Sequence, residues 1–300
     1  MRTSRCLSIL PLLAALASCT TASAGPPRQE QQIYGVTVDE ITNLRQIVAS
    51  LAHLPRRPMV RIPFDPGMEP ADYAQAVGEI GRVAGIMAEP VDSSEVTGYT
   101  TAQYIARFDT YLNAFQGKIA IWEIGNEVNG DWLGPLSVVR RDVEGAYAAV
   151  RKAGGRTALT LSYEPDCGDD MFAWAARNIP PAVRDDLDYV LVSYYAEDCD
   201  GTQPSTAQWT AVFRRLRTLF PRAKLGFGET GTNHGDPVAC ELATLSRYYR
   251  LRIDVPGYIG GYFWWYYAED MVPYQHNTLW AGLASIITSG GASPRPGTGS

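Results

Sequence analysis

The chain has 300 residues, 46% of them hydrophobic and 11% aromatic, enough apolar material for a large core and too much for global disorder. Its 28 Gly and 20 Pro follow no period, which excludes a collagen-like chain. A formal net charge of −6 argues against a nucleic-acid partner, which would call for a basic stripe.

Residues 1–18 read as an export signal: Arg2 and Arg5 precede an apolar run at 7–17 that is too short to span a bilayer. The run ends in Leu16-Ala17-Ser18-Cys19, which looks like a bacterial lipobox with Cys19 as the lipidated first residue. Thr20 after that cysteine is expected to send the protein to the outer membrane, facing the periplasm or the cell surface. Ala22-Ser23-Ala24 keeps ordinary secretory cleavage open, with a soluble periplasmic or secreted product. Residues 19–32 are rich in Ser, Thr, Ala, Pro and Gln and are expected to form a flexible tether. The only membrane contact expected is through the lipid.

From residue 33 short apolar runs alternate with amphipathic stretches. Strands are predicted at 33–38, 59–64, 86–91, 119–124, 158–163, 189–195, 224–228 and 258–265. Helical patterns fall between them, among them 71–84, 101–115, 138–153, 206–220 and 238–252, and 277–288 closes the series. Gly154-Gly155 and Pro221 punctuate the ends of two of these helices. Eight strands strictly alternating with eight helices imply parallel pairing and right-handed crossovers. Residues 33–289, with no internal linker, match the ~250 residues of a single closed (β/α)8 TIM barrel better than an open sheet. Residues 290–300 are expected to be a disordered tail.

Such a barrel gathers its chemistry at the strand C-termini. The fourth strand runs out in Trp122-Glu-Ile-Gly-Asn-Glu127, and the seventh in Gly226-Phe-Gly-Glu229. Two carboxylates facing one another over a cleft are what glycosidic cleavage needs, one to protonate the leaving oxygen and one to attack the anomeric carbon.

With these motifs the chain resembles the clan of retaining (β/α)8 glycoside hydrolases known as clan GH-A. The resemblance implies that Glu127 is the general acid/base, Glu229 the nucleophile, and Asn126 a contact to the sugar 2-hydroxyl. It further implies an arginine near the nucleophile, matched by Arg61, a sixth-strand tyrosine, matched by Tyr195 or its neighbour Tyr194, and an eighth-strand stacking tryptophan, matched by Trp265. A preference for β-linked oligo- or polysaccharides, with no cofactor, follows from the same resemblance.

Other residues at or past strand ends can be weighed on their own chemistry. Trp132 offers a flat ring to a sugar face, while Asp92, Asn129, Asp65, Asp198 and His234 offer polar groups to hydroxyls. Glu123 reads as a barrel or supporting residue. Gly226-Phe-Gly228-Glu-Thr-Gly231 spells a dinucleotide fingerprint but lacks the helix that has to start at once. Cys167, Cys199 and Cys240 suggest one disulfide and one free thiol, with the pair left open. With no paired cysteine or histidine spacing, no metal is expected. The reading is an exported, monomeric, retaining β-glycosidase. An inert carbohydrate-binding lipoprotein on the same barrel and a transglycosidase are its alternatives.

Overall fold

The computed structural model describes residues 32–290 apart from Asp166, Asp169, Asp200 and His234. The predicted signal, Cys19, the tether up to residue 31 and the tail from residue 291 lie outside the described residues, as does the candidate His234; Gly290, the first residue of the expected tail, caps the last helix. The strands β1 (Ile33–Thr37), β2 (Met59–Pro63), β3 (Gly85–Glu89), β4 (Ile121–Glu123), β5 (Thr157–Ser162), β6 (Tyr189–Tyr194), β7 (Lys224–Thr230) and β8 (Tyr258–Trp264) close into one parallel barrel in chain order. This is the (β/α)8 architecture that the alternation predicts.

Ten α-helices occur among the described residues, against the eight expected: α1 (Leu44–Ala52), α2 (Pro70–Val83), α3 (Thr101–Ala114), α4 (Leu136–Lys152), α5 (Met171–Asn178), α6 (Pro181–Arg184), α7 (Thr206–Leu219), α8 (Val238–Tyr249), α9 (Tyr267–Met271) and α10 (Thr278–Ser289). The surplus has local causes. Pro180 and Pro181 lack amide donors and split the crossover from β5 to β6 into α5 and α6. The segment after β8 folds a short helix of its own, α9. Where helices start is written in the side chains. Thr100 and Ser205 each form a capping box with the glutamine three residues on, and the Asn277 side chain accepts from the Trp280 amide at 2.9 Å.

Strand alternation sorts the inward residues into layers. Low in the barrel, Met87, Ile121, Ala158, Tyr189, Leu191, Ile259 and Phe263 form an apolar plug. Two residues further along the same strands, Met87 gives way to Glu89, Ile121 to Glu123, Ala158 to Thr160 and Leu191 to Ser193. The outward residues, such as Val60, Ile86, Leu159 and Val190, join the larger core under the helices. The barrel is therefore sealed below and ionisable above.

Cys167 and Cys199 form the disulfide, tying the segment after β5 to that after β6, and Cys240 is free and exposed. The bridge encloses a sequence separation of 32. Replacing both cysteines by serine is expected to cost about 2–4 kcal/mol, read as a lower urea midpoint at unchanged slope. Equal midpoints would show that the bridge does not constrain the unfolded chain.

Candidate active site

Arg61 is the hub of the polar layer. It comes from β2, is fully buried, and divides its guanidinium among three carboxyl groups. Nε meets Glu123 Oε2 at 2.7 Å, Nη2 meets Glu89 Oε1 at 2.9 Å, and Nη1 meets Glu229 Oε2 at 2.8 Å. Thr160 donates its hydroxyl to the other oxygen of Glu123. The Trp265 ring centroid lies 5.0 Å from the guanidinium carbon, a cation–π contact that holds the indole over the arginine.

Glu229 sits inside β7, which runs on to Thr230 and not only to Gly228 as the sequence pattern suggests. Its Oε1 accepts from the Tyr195 hydroxyl at 2.8 Å. Tyr194, the other aromatic candidate on this stretch, does not join the site. Its side chain points to the opposite face of the sheet, where it packs edge-on against Trp209 and donates its hydroxyl to the Thr202 carbonyl. Alternation at period two dictates the choice: Ser193 and Tyr195 share the inner face and Tyr194 takes the outer one.

Glu127 follows β4 on an irregular turn, at φ 45°, a left-handed conformation that costs a non-glycine residue of order 1–3 kcal/mol. The turn is held to β5 on both sides. The Thr160 amide donates to the Gly125 carbonyl at 3.0 Å and the Val128 amide to the Thr160 carbonyl at 3.2 Å. Gly125 is required there, because a Cβ would meet Val128 Cγ1 at 2.5 Å. The result aims the Glu127 carboxyl at Ser93, whose hydroxyl donates to Oε2 at 2.9 Å.

The remaining candidates divide. Asn126 is buried and donates to Asp92 Oδ2 at 3.4 Å. Asn129 spends its amide on β5, donating to the Ser162 carbonyl at 2.9 Å and accepting from the Ser162 amide at 2.8 Å. It therefore locks the turn. Asp65 is similarly committed, accepting from the Tyr73 hydroxyl at 2.8 Å. Trp132 lies on a 3-10 turn past β4 and is 43% exposed. Glu89, Ser93 and Thr160 escape the sequence reading. The signal for Glu89 was present, as an acid inside an otherwise apolar strand. Among the described residues, Glu164 with Cys167 and Cys199 is grouped tightly enough for an ion, but both sulfurs are in the disulfide and offer no thiolate.

Electrostatically the layer holds more acids than cations. Burial pushes Glu229 up to about 8, helped by the charges of Glu127 and Asp92 and opposed by Arg61 and the Tyr195 hydroxyl. The sequence alone suggests that Arg61 and Tyr195 favour the charged form of Glu229; sharing one guanidinium among three carboxyls weakens the arginine's part of that hold. Burial also raises Glu127, against the hydroxyls of Ser193 and Ser93. The folded barrel thus keeps a proton on Glu229 that the unfolded chain releases above about 4.3. The stability this confers is complete at low pH and is lost as the pH climbs to about 8. Urea unfolding is expected to show a smaller difference between pH 5 and pH 8 in Glu229→Gln than in the wild type. An identical pH dependence in both would refute the shift.

No protein-family model matches the sequence, and no curated protein is detectably similar to it. Solved structures do share the fold. A GH5_18 protein from Streptomyces cattleya, in complex with GlcNAc, aligns over 89% of this chain and 83% of its own with a TM-score of 0.60 and 13% identity. A family 1 β-glucosidase from Thermotoga maritima aligns over 83% and 86% at 0.55 and 10% identity. A β-mannanase from the blue mussel Mytilus edulis aligns over 86% and 90% at 0.52 and 12% identity. The chain therefore has the barrel fold on which these glycoside hydrolases are built.

Proposed function

We propose that the protein is a retaining glycoside hydrolase acting on an uncharged β-linked glycan. The observation that carries this reading is the unequal pair at the barrel mouth. Glu229 is paired with the Arg61 cation as well as the Tyr195 hydroxyl, while Glu127 meets, among the described residues, only the neutral hydroxyls of Ser93 and Ser193. The reactive form has the proton on Glu127 and the charge on Glu229, because Arg61 and Tyr195 stabilise an anion on Glu229 and no cation among the described residues contacts Glu127. Below a pH of about 8, where Glu229 is itself protonated, that form is the minor one. Glu127 then protonates the glycosidic oxygen as Glu229 attacks the anomeric carbon, forming a glycosyl ester and expelling the aglycone. Having given up its proton, Glu127 is now a carboxylate, and esterification of Glu229 removes the charge that opposed it. Glu127 takes a proton from water as the water oxygen bonds to the anomeric carbon, and the ester bond breaks to release the sugar and the Glu229 carboxylate. Fold relatives named as a β-glucosidase and a β-mannanase support the β preference.

The mouth limits the charge of the substrate. Among the described residues of the eight strand-to-helix segments there is no Lys or Arg, while carboxylic residues such as Asp65, Asp92, Glu127 and Asp198 lie in them. Arg107 of α3 reaches back toward them but is committed to the carbonyls of Phe64, Asp65, Met68 and Pro90. A uronate or sulfate would find no partner there. Trp265 and Trp132 supply rings for apolar sugar faces.

The test is hydrolysis of β-glucans, β-mannans, N-acetylglucosaminides and polyuronates, with Glu229→Ala alongside. Sugar released by the wild type alone, with retained anomeric configuration and none from the polyuronates, supports the reading. Binding without turnover across the neutral panel would favour a carbohydrate-binding protein. Export as a lipoprotein anchored at Cys19 is part of the proposal, and the disulfide suits an oxidising compartment. Labelling with a radioactive fatty acid, lost in Cys19→Ala, tests it.

A further inference from the structure

Glu89 has no part in the two-carboxylate scheme, yet it occupies the middle of the polar layer. It is the last residue of β3 and is fully buried. Oε1 lies 2.9 Å from Arg61 Nη2 as an ion-pair contact, but among the described residues neither carboxyl oxygen has a partner in hydrogen-bond geometry. The groups around it are Arg61 from β2, Glu123 from β4, Glu229 from β7, Asp92 past its own strand and the Tyr104 phenol from α3.

One guanidinium cannot compensate three sealed carboxylates, so the acids differ in charge according to their donors. Glu123 has Arg61 and Thr160, and Glu229 has Arg61 and Tyr195. Glu89 has only the ion-pair contact to Arg61, and neither of its oxygens receives a hydrogen bond among the described residues. A carboxylate oxygen with no donor in a dry interior is far costlier than a neutral hydroxyl in the same place. Burial and the surrounding acids raise Glu89 well above the ordinary carboxylate range, against the pull of Arg61.

We propose that Glu89 is a positioning residue that works as a neutral carboxylic acid: its carbonyl oxygen rests 2.9 Å from Nη2 and sets the angle of Arg61 without drawing its charge, which is left for Glu229 on Nη1. The kinetic half of this inference rests on the nucleophilic role given to Glu229 above. The protonation half does not.

Infrared difference spectra of the wild type and Glu89→Gln at neutral pH test the protonation. The wild type is expected to show the carbonyl stretch of a protonated carboxyl that Glu89→Gln lacks, and absence of that band overturns the proposal. Kinetics test the contact. Glu89→Gln, whose amide oxygen keeps a polar contact against Nη2, is expected to keep a kcat about tenfold or more above that of Glu89→Ala or the longer apolar Glu89→Met, at similar KM. The acid limb of its kcat/KM profile is expected to stay in place. A limb displaced to lower pH would mean that a negative charge beside Glu229 had been removed, and Glu89 would then be an ordinary carboxylate. Equal kcat in the Gln and Met variants would reduce it to packing. If Glu89→Ala and Glu89→Met do not fold, the infrared band still decides. If the wild type hydrolyses no glycan, the proposed function fails while the band remains readable.

Discussion

Glu229→Ala is expected to lower kcat between about 10⁴- and 10⁶-fold, the range by which enzymes fall when a central member of a covalent mechanism is removed. The reason is geometric. Glu229 lies within β7, 6% exposed, with both oxygens oriented by Arg61 and Tyr195, and among the described residues no other carboxyl of the layer shares this pair of donors. The defect should be chemical. Trimming the side chain leaves the mouth open, so sugar affinity is expected to hold while turnover disappears. Added azide should enter the vacated space, attack the anomeric carbon from the same side as Glu229 did, and yield a glycosyl azide of inverted configuration. Turnover that survives the substitution, or an azide product of retained configuration, would remove Glu229 from the nucleophile's place.

Arg61→Met is expected to have the largest effect on stability. Methionine is close in length and apolar, so the barrel stays filled, but three carboxyl groups lose their only shared cation. Removing one partner of a buried ion pair costs about 3–5 kcal/mol, because the other charge stays sealed without compensation. Here the loss also depends on pH. At low pH the three acids take up protons and tolerate the change. As the pH rises through their unfolded values, the folded variant has to keep protons that the unfolded chain gives up, and stability drops. The urea midpoint of Arg61→Met should therefore fall further below that of the wild type at pH 8 than at pH 5. A deficit independent of pH would mean that the arginine acts by packing alone.

Much of this site can be read along the chain. Glu127 and Glu229 stand out because each ends a strand on the same face of a barrel whose alternation is plain, and Arg61 stands out as a cation in an apolar strand. Glu89 is the same kind of signal with the opposite sign, an acid at the end of β3. It lies two residues from the inward Met87, and only the register of β2 against β3, which pairs Pro63 with Glu89, places it at the height of the guanidinium. Tyr194 and Tyr195 are indistinguishable as neighbours in sequence. The unbroken alternation of β6 puts Tyr195 on the inner face with Leu191 and Ser193, but which face is inner is set only by closure. On β7, where Phe227 pairs with Val192 and Glu229 with Ser193, the extra residue means that the phase of Glu229 cannot be counted along its own strand. Asn129 has the right chemistry for a sugar hydroxyl and the wrong circumstances, since β5 takes both ends of its amide.

The order of strands and helices, the closure they imply, and the end of the barrel where chemistry gathers are properties of periodicity, which is local: each stretch declares its own buried face. The sharing of Arg61 is not local. Its partners Glu123 and Glu229 lie 62 and 168 residues away, and how much charge each acid receives depends on distances set when the barrel closes. The disulfide pair, the inward tyrosine and the proton assigned to Glu89 belong to the same class, because each is settled by which groups meet in a space that water has left.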